Sequence, residues 1–449
     1  MAERKRNPSR GPIPGRGPRR SGKHDTLLLR GGRVIDPASD LDEVCDVLLS
    51  RGRIQSVGGS AQAGPGAEVL EVSGKLVVPG LIDMHVHLRE PGREDEETIE
   101  SGGRAAARGG FTTVACMANT QPPIDTSGMV RYVLEAAERS SPVRVLPVAA
   151  ATVGLKGEAP TEIFDLRAAG AAALSDDGNF IKNSEVARRV MEYARMAGLT
   201  LISHCEDSYL AEGGVMHEGY RSTVLGLKGI PAASETAAVA RELALAELTQ
   251  VRLHVAHVST GGAVKLIREA KSRGLRVTAE TAPHYLLLTD EVVADYDTSA
   301  KVNPPIRSKE DRDAILEGLK DGTIDVVASD HAPHCEEEKD VEFDVAAFGL
   351  VGLETTVGLL MAFLVKSGLV PLSRVIAALT VAPSTALGID AGRIAPGQLA
   401  DVTVIDPDLA WEVDPLSFAS KSRNTPFRGT KLVGRAVTTI VGGKIVYQA

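Results

Sequence analysis

The stretch Val78-Pro-Gly-Leu-Ile-Asp-Met-His-Val-His-Leu-Arg-Glu90 is an apolar, strand-like run that ends in two histidines, His85 and His87. In a strand, residues i and i+2 point to the same face, so both imidazoles project together at the strand end. Two neutral imidazoles that converge on one point form half of a zinc site. Arg89, two residues further on, faces the same way with a fixed positive charge. The stretch therefore predicts the first strand of a metal-binding fold whose other ligands lie elsewhere in the chain.

The composition is that of a large globular protein with no extreme charge. The chain has 449 residues, which suits one large α/β domain plus a smaller one. Its net charge of −9 gives no general nucleic-acid signature, and no uninterrupted apolar stretch approaches the roughly 18 residues of a membrane span. The four cysteines are scattered without a CxxC pair, which is typical of a reduced, cytoplasmic protein. Cys205 and Cys335 each follow a histidine, so a zinc-ligand role for either is an alternative to a small buried thiol.

The two ends of the chain differ in composition and strand pattern from the segment between them. Residues 1–24 are rich in Arg, Pro and Gly and predict a basic disordered tail, either simply solvated or in contact with nucleic acid or an acidic partner. Short strand-like runs separated by turns occupy residues 25–77 and again residues 392–449. Because these two segments share the same pattern of short strands and turns, we expect them to pair into a single small β-sandwich domain.

Eight apolar strand candidates alternate with helical periodicity between these ends. Over residues 78–391 this alternation predicts an α/β fold of the (β/α)8 TIM-type barrel. A doubly wound sheet is the competing fold, but no Gly-rich dinucleotide turn follows a strand. The predicted strands are 80–88, 111–117, 143–151, 171–175, 200–204, 252–258, 276–280 and 324–329, and helical periodicity is clear in 184–197, 234–246 and 262–272.

Zinc-binding side chains follow five of the eight predicted strands. Barrel enzymes build their sites at the C-terminal strand ends, and imidazole and carboxylate are ligands that suit zinc. Singly, each residue has a simpler interpretation, such as a helix cap or a turn. Together they predict a ring of ligands around one mouth of the barrel. The residues are His85 and His87 after strand 1, Asp176 and Asp177 after strand 4, His204 after strand 5, His257 after strand 6, and Asp330, His331 and His334 after strand 8.

Six ligands from this ring, one of them a strand 4 carboxylate, exceed the need of one tetrahedral ion and suit two ions bridged by a carboxylate and a water-derived hydroxide. The bridging carboxylate is expected from strand 4. Asp177 is the first candidate and Asp176 the alternative, since adjacent strand residues point to opposite faces.

Seven short motifs stand in a characteristic order along the chain. They are His85-Val-His-Leu-Arg-Glu-Pro-Gly92, Gly109-Gly-Phe-Thr-Thr-Val114, Met117-Ala-Asn-Thr120, Ser175-Asp-Asp-Gly178, His254-Val-Ala-His-Val-Ser-Thr260, Val302-Asn-Pro-Pro305 and Ser329-Asp-His-Ala-Pro-His334. This series resembles the amidohydrolase superfamily, and closely the bacterial class I dihydroorotases, over residues 26–449. Two departures stand out. Ala118 replaces a usual proline, and residues 94–97 are all acidic where relatives often carry a lysine.

The resemblance implies the reversible cyclisation of N-carbamoyl-L-aspartate to L-dihydroorotate in de novo pyrimidine biosynthesis, by a zinc-activated hydroxide. Asp330 would act as general base and then as general acid. The implied metal ligands are His85, His87 and Asp330 for one zinc, His204 and His257 for the second, and Asp177 as the bridge. The implied substrate contacts are Arg89 as a carboxylate clamp, His87, Asn119, Asn303, His334, and the backbone at Phe348 and Gly349.

Two alternatives and several expectations accompany this resemblance. A hydantoinase- or allantoinase-like hydrolase is one alternative, against which Arg89 and Asn119 argue because they fit a carboxylate-bearing substrate. A non-catalytic scaffold subunit of aspartate transcarbamoylase is the other, against which the complete ligand set argues. We expect a cytoplasmic homo-oligomer, such as a dimer, without membrane or nucleic-acid partners, and association with aspartate transcarbamoylase stays open. Residues 335–348 predict either a mobile loop over the site or a plain surface loop.

Overall fold

The computed structural model describes residues 26–62, 64 and 66–449, and the predicted basic tail, 1–24, lies outside the described residues. The strands, in chain order, are β1 (Thr26–Asp36), β2 (Leu41–Ser50), β3 (Arg53–Val57), β4 (Glu68–Glu71), β5 (Leu76–Pro79), β6 (Leu81–Val86), β7 (Phe111–Cys116), β8 (Arg144–Ala149), β9 (Ala173–Leu174), β10 (Thr200–Ser203), β11 (Met216–His217), β12 (Gly229–Ile230), β13 (Arg252–Val255), β14 (Val277–Thr281), β15 (Val326–Val327), β16 (Val402–Glu412), β17 (Lys431–Val441) and β18 (Lys444–Gln448). The α-helices are α1 (Ile99–Gly109), α2 (Ser127–Ser140), α3 (Ile163–Ala169), α4 (Ser184–Ala197), α5 (Tyr220–Leu225), α6 (Ala232–Thr249), α7 (Gly261–Ser272), α8 (Pro283–Leu287), α9 (Lys309–Asp321), α10 (Glu336–Lys339), α11 (Thr356–Leu360), α12 (Leu372–Leu379) and α13 (Val381–Leu387).

Eight parallel strands form the barrel in the order in which they occur along the chain. The strands β6, β7, β8, β9, β10, β13, β14 and β15 pair successively. A bridge between Val86 and His331 joins the first strand to the segment after the last one and closes the barrel. Every residue of β6, β7 and β8 is buried, which explains why these strands are mostly apolar and do not alternate with exposed polar residues. Each predicted strand overlaps one barrel strand, so the predicted barrel is confirmed.

A separate sheet is built from both ends of the chain, as predicted. Its strands follow the order β18-β17-β16-β5-β1-β2-β3, with β4 paired to β1. The two ends meet where β5 pairs antiparallel with β16. The sheet folds back on itself, because the Ile54 amide donates to the Gln398 carbonyl at 2.9 Å. Apolar side chains from both ends, among them Leu29, Val47 and Val404, fill its interior. The domain bounds at residues 24/25, 77/78 and 391/392 stay predictions.

The helices pack outside the barrel by a buried stripe, and α4 shows how its sequence specifies this. Asn183 caps the helix, since its side chain accepts from the backbone amides of Glu185 and Val186. Gly198 ends it in the left-handed conformation, at φ 69°. The buried residues Ala187, Val190, Met191 and Ala194 recur at helical spacing. The bounds of α4 agree with the predicted 184–197.

Among the described residues, no helix is long and apolar enough to cross a membrane.

Candidate functional site

The six predicted metal ligands meet, buried, at the carboxyl ends of the barrel strands. Asp177 is at their centre: its Oδ1 lies 3.3 Å from His85 Nε2 and 3.5 Å from His257 Nε2, and its Oδ2 lies 3.5 Å from His87 Nε2. Asp330 Oδ1 lies 3.6 Å from the Nε2 atoms of both His85 and His87. The sixth member, His204, joins through its Nδ1, which lies 2.9 Å from His257 Nε2. The structure thus gathers residues from five strands into one cluster, called the His/Asp cluster below.

Of the two acids after β9, Asp177 belongs to this cluster and Asp176 does not. Asp176 Oδ1 accepts hydrogen bonds from the amides of Ala151 and Thr152, at 2.9 Å each. Its side chain therefore orders the neighbouring loop. The two adjacent carboxylates point in opposite directions, as residues at a strand end do.

The hydrogen bonds of His85 and His87 decide which ring nitrogens face the cluster. His85 Nδ1 lies 2.5 Å from Glu280 Oε1, and His87 Nδ1 lies 2.8 Å from Asn119 Oδ1. Carboxylate and amide oxygens accept only, so both Nδ1 atoms donate and both Nε2 atoms face the cluster. The buried His85 Nε2 and Asp177 Oδ1 have no hydrogen-bond partner although they face each other. A positive charge is needed between them, and either a proton on Nε2 or a divalent metal ion bound by the Nε2 lone pair supplies it, so the residues present fit a metal ion.

The electrostatics of the His/Asp cluster also favour a cation. Burial opposes ionisation of Asp177, but the imidazoles, His85 foremost, outweigh it and hold the pKa of Asp177 well below its usual range. Burial likewise opposes ionisation of Asp330, and His85 and His87 again lower its pKa. Burial disfavours the charged form of His85, yet the surrounding carboxylates, Asp177 first, raise its pKa well above the ordinary value. Both aspartates are therefore ionised at neutral pH.

Three acidic residues that support the cluster escaped the sequence analysis. Glu280, at the end of predicted strand 7, holds His85 and also lies 3.2 Å from His254 Nε2. Asp83 Oδ1 accepts from the amide of His85 at 3.1 Å, and its carboxylate also accepts from the amide of Ser329. Glu206 Oε2 accepts from Asn303 Nδ2 at 2.9 Å. Each stands at a strand end or two residues from a predicted ligand, which is the signal that would have found it.

Three of the eight described non-glycine residues with positive φ lie at this site. Arg89, His257 and Asp330 adopt positive φ angles of 59°, 32° and 49°. Residues with a Cβ avoid this region, and the tertiary structure must impose it. These backbone conformations are unfavourable in free energy, and they direct the three side chains toward the carboxyl ends of the barrel strands.

All seven residues predicted to contact a substrate line one cavity beside the His/Asp cluster. Its volume is about 240 Å³. Drug-sized pockets run from about 300 to 1,000 Å³, so this cavity suits a smaller metabolite. Its lining comprises His87, Arg89, Asn119, Asn303, His334, Phe348 and Gly349, together with Asp177, Gly178, His204, His257, Asp330 and Ala332.

The segment 335–348 packs against this cavity. It begins with α10, whose Lys339 Nζ donates to the Ala347 carbonyl at 2.7 Å. Phe343 is buried. At the end of the segment, the Phe348 carbonyl lies 2.8 Å from His334 Nε2. The segment thus forms one wall of the cavity, and its movement stays a prediction.

The two cysteines considered as ligands lie apart from the His/Asp cluster. Cys205 Sγ contacts Ser203 Oγ at 3.5 Å, and burial raises the pKa of this thiol. Cys335 Sγ lies 3.4 Å from Asp95, and burial together with that carboxylate raises its pKa to about 11. Neither belongs to a group of described residues close enough to share a metal ion.

Comparison with known proteins places this site in a family. A Dihydro-orotase-like family model matches residues 74–262, and an Amidohydrolase family model matches residues 236–447. The dihydroorotase of Pelotomaculum thermopropionicum is 57% identical over 94% of this chain and 98% of its own length. That of Geobacter metallireducens is 51% identical over 94% of this chain and 99% of its own length.

Solved structures share the fold. L-Hydantoinase from Arthrobacter aurescens has a TM-score of 0.85 and 26% identity over 94% of this chain and 96% of its own. Dihydropyrimidinase from Brevibacillus agri has a TM-score of 0.82 over 94% and 95%, and its 24% identity shows the fold alone. The hydantoinase alternative fits less well, because the dihydroorotases are about twice as similar in sequence. By its sequence matches along almost its whole length, this chain belongs to the dihydroorotase family.

Proposed function

We propose that this protein is a dihydroorotase that interconverts N-carbamoyl-L-aspartate and L-dihydroorotate in de novo pyrimidine biosynthesis. Relatives with this printed name are 48–57% identical over 94% of the chain. The observation that carries the proposal is the single small cavity that joins Arg89 and Asn119 to the His/Asp cluster. A ring acid bound there would place its carboxylate on Arg89 and its cyclic amide against the cluster.

The metal proposal is two zinc ions per chain. His85, His87 and Asp330 would hold one ion, His204 and His257 the other, and Asp177 would bridge them. The position of Asp177 supports this, since its two oxygens face different imidazoles at 3.3–3.5 Å. When bound, such ions polarise an amide carbonyl and lower the pKa of bound water toward about 7.

The residues that line the cavity would orient the substrate. Arg89 presents a planar guanidinium that matches a carboxylate with two parallel hydrogen bonds. His87, Asn119, Asn303 and His334 would contact the bound molecule, and the backbone at Phe348–Gly349 would lie against its ring. The Arg89 and His334 side chains are only 12% and 11% exposed, so a molecule bound against them would be largely shielded from water.

Asp330 would carry the proton. In ring opening, its carboxylate takes a proton from the attacking water and delivers it to the ring nitrogen as the C–N bond breaks. In ring closure, the same carboxylate removes the proton from the ureido nitrogen and returns it to the departing water. Asp330 is ionised at neutral pH and lines the cavity beside Asp177 and the imidazoles, so its carboxylate can accept a proton there.

The cellular setting is a further part of the proposal. We place the enzyme in the cytoplasm as a homo-oligomer, with aspartate transcarbamoylase as a candidate partner. The four free cysteines support a reducing compartment. Light scattering of the purified chain, alone and mixed with transcarbamoylase, tests the assembly.

The decisive experiment combines turnover with a metal count. The purified protein should interconvert the two metabolites, lose activity on chelation, regain it with Zn²⁺, and hold two zinc ions per chain by elemental analysis. Robust turnover of metal-stripped protein would contradict the mechanism. A higher kcat/KM on hydantoin or allantoin would favour the alternative hydrolase, and metal-loaded protein without any turnover would favour the scaffold.

A further inference from the structure

Five charged side chains form a compact network at the rim of the cavity, called the Glu96 network below. Glu96 is its hub and is only 1% exposed. Its Oε1 lies 2.8 Å from His334 Nδ1 and 2.9 Å from Arg93 Nη2, and its Oε2 lies 3.0 Å from Arg89 Nε. Glu338 completes the network, 3.2 Å from His334 Nδ1 and 2.5 Å from Arg93 Nη2.

The partners of His334 decide its protonation state. Its Nδ1 faces the Glu96 and Glu338 carboxylates, and its Nε2 faces the Phe348 carbonyl at 2.8 Å. Ionised carboxylates and carbonyls only accept hydrogen bonds, so Nδ1 donates, and a proton on Nε2 suits its 2.8 Å contact with the carbonyl. Arg89 Nη2, which can only donate, lies further from Nε2, at 3.2 Å. The nearer partner favours the imidazolium form of the His334 ring.

This imidazolium stands beside a second cation. Arg89 Nη2 lies 3.2 Å from His334 Nε2, and both residues line the cavity. With a proton on Nε2, both of these atoms are donors. Two donors this close to each other need a shared acceptor, and the carboxylate of a molecule bound in the cavity would supply one.

We propose that Glu96 is a positioning residue that keeps His334 protonated and aligned beside Arg89, so that the substrate carboxylate meets two cations. The identity of that carboxylate rests on the proposed function. Glu96 itself does not line the cavity, so it acts through the two residues that do.

A metal ion is the competing interpretation of the same side chains. Glu96, His334 and Glu338 have ligand atoms close enough to share one. However, the Arg93 guanidinium lies between the two carboxylates, at 2.9 Å and 2.5 Å. Arg93 and His334 already neutralise both carboxylates, so the network needs no further cation.

The first test reads the protonation of His334 without any turnover. Nitrogen-15 NMR of histidine-labelled protein at pH 7.5 reports both ring nitrogens, and the His334→Gln variant assigns the signal. We expect a doubly protonated ring in the wild type and a smaller doubly protonated fraction in Glu96→Gln, where Glu338 is the one carboxylate left beside Nδ1.

The second test separates KM from kcat. Glu96→Gln should raise the KM for dihydroorotate about tenfold, corresponding to about 1.4 kcal/mol, with kcat changed less than about twofold. Glu337→Gln is the matched control, because this exposed residue on α10 loses the same charge away from His334. Its KM should equal that of the wild type.

A singly protonated His334 ring in the wild type, or an unchanged KM in a folded Glu96 variant, would overturn the proposal. If Glu96→Gln does not fold, Glu96→Asp takes its place. It keeps the charge and hence the doubly protonated ring, but it should raise KM because the shorter side chain no longer reaches both partners. A wild type without turnover defeats the proposed function, whereas the NMR spectrum still decides the role of Glu96.

Discussion

Glu280→Gln is the sharpest test of how the His/Asp cluster holds a metal ion. Glu280 is buried, and its Oε1 lies 2.5 Å from Nδ1 of His85. Burial opposes its ionisation, but His85 and His254 lower the pKa of Glu280 to about 2. The residue is thus a carboxylate at neutral pH that makes the His85 Nε2 lone pair more basic. Glutamine keeps the shape and removes the charge.

The expected loss follows from the hydrogen bond. A hydrogen bond to a charged group contributes about 1.5–3 kcal/mol, against about 1 kcal/mol for a neutral one. Replacing the charged bond at 2.5 Å by a neutral one therefore costs about 0.5–2 kcal/mol of ligand strength. At 1.4 kcal/mol per tenfold, the affinity for Zn²⁺ should fall by about 2- to 30-fold.

The assay is competition for Zn²⁺ between metal-stripped protein and a chelator indicator, which needs no turnover. Glu242→Gln is the matched control, since Glu242 is an equally buried carboxylate on α6 that pairs with Arg241. Its affinity for Zn²⁺ should equal that of the wild type. An unchanged affinity in Glu280→Gln, or an equal loss in both variants, would refute the reasoning.

Three further predictions concern the proton carrier, the carboxylate clamp and a buried lysine. Asp330→Asn should lower kcat about 10²- to 10⁴-fold in protein of verified metal content and unchanged circular dichroism, and turnover near that of the wild type would exclude Asp330 as the proton carrier. Arg89→Ala should raise KM about 10- to 100-fold, because a charge-assisted hydrogen bond contributes about 1.5–3 kcal/mol; an unchanged KM would count against the clamp. Burial, with Lys301 nearby, lowers the pKa of Lys339 to about 7. The native state therefore binds fewer protons than the unfolded state from about pH 7 to about pH 10, and wild-type stability gains up to about 1.4 kcal/mol per pH unit in that window. Lys339→Met has no titrating group at this position, so the free energy of unfolding of the variant should exceed that of the wild type most at pH 7 and less at pH 9. Urea unfolding at both pH values measures this difference, and a difference that does not change with pH would contradict the assignment.

Local patterns in the chain were sufficient for the barrel and for the first ligands. Periodicity is a property of neighbouring residues, so α4 and the buried strands were predictable without knowing what they pack against. The two-residue spacing of His85 and His87 likewise specified a shared face before any partner was known. Placing the ligands at one mouth followed from the rule that parallel barrel strands end together.

Only the tertiary structure decided which distant side chains touch. Glu280 is 195 residues from His85 along the chain, and the pairing exists because barrel closure leaves only β15 between their strands, β14 and β6. Glu96 and His334 meet for the same reason, across the junction of the first and last strands. Which of the two carboxylates, Asp177 or Asp176, faces the His/Asp cluster depended on the path of the backbone after β9. Sequence periodicity thus determines the elements and their faces, whereas the charge on each buried group depends on neighbours that only the closed barrel supplies.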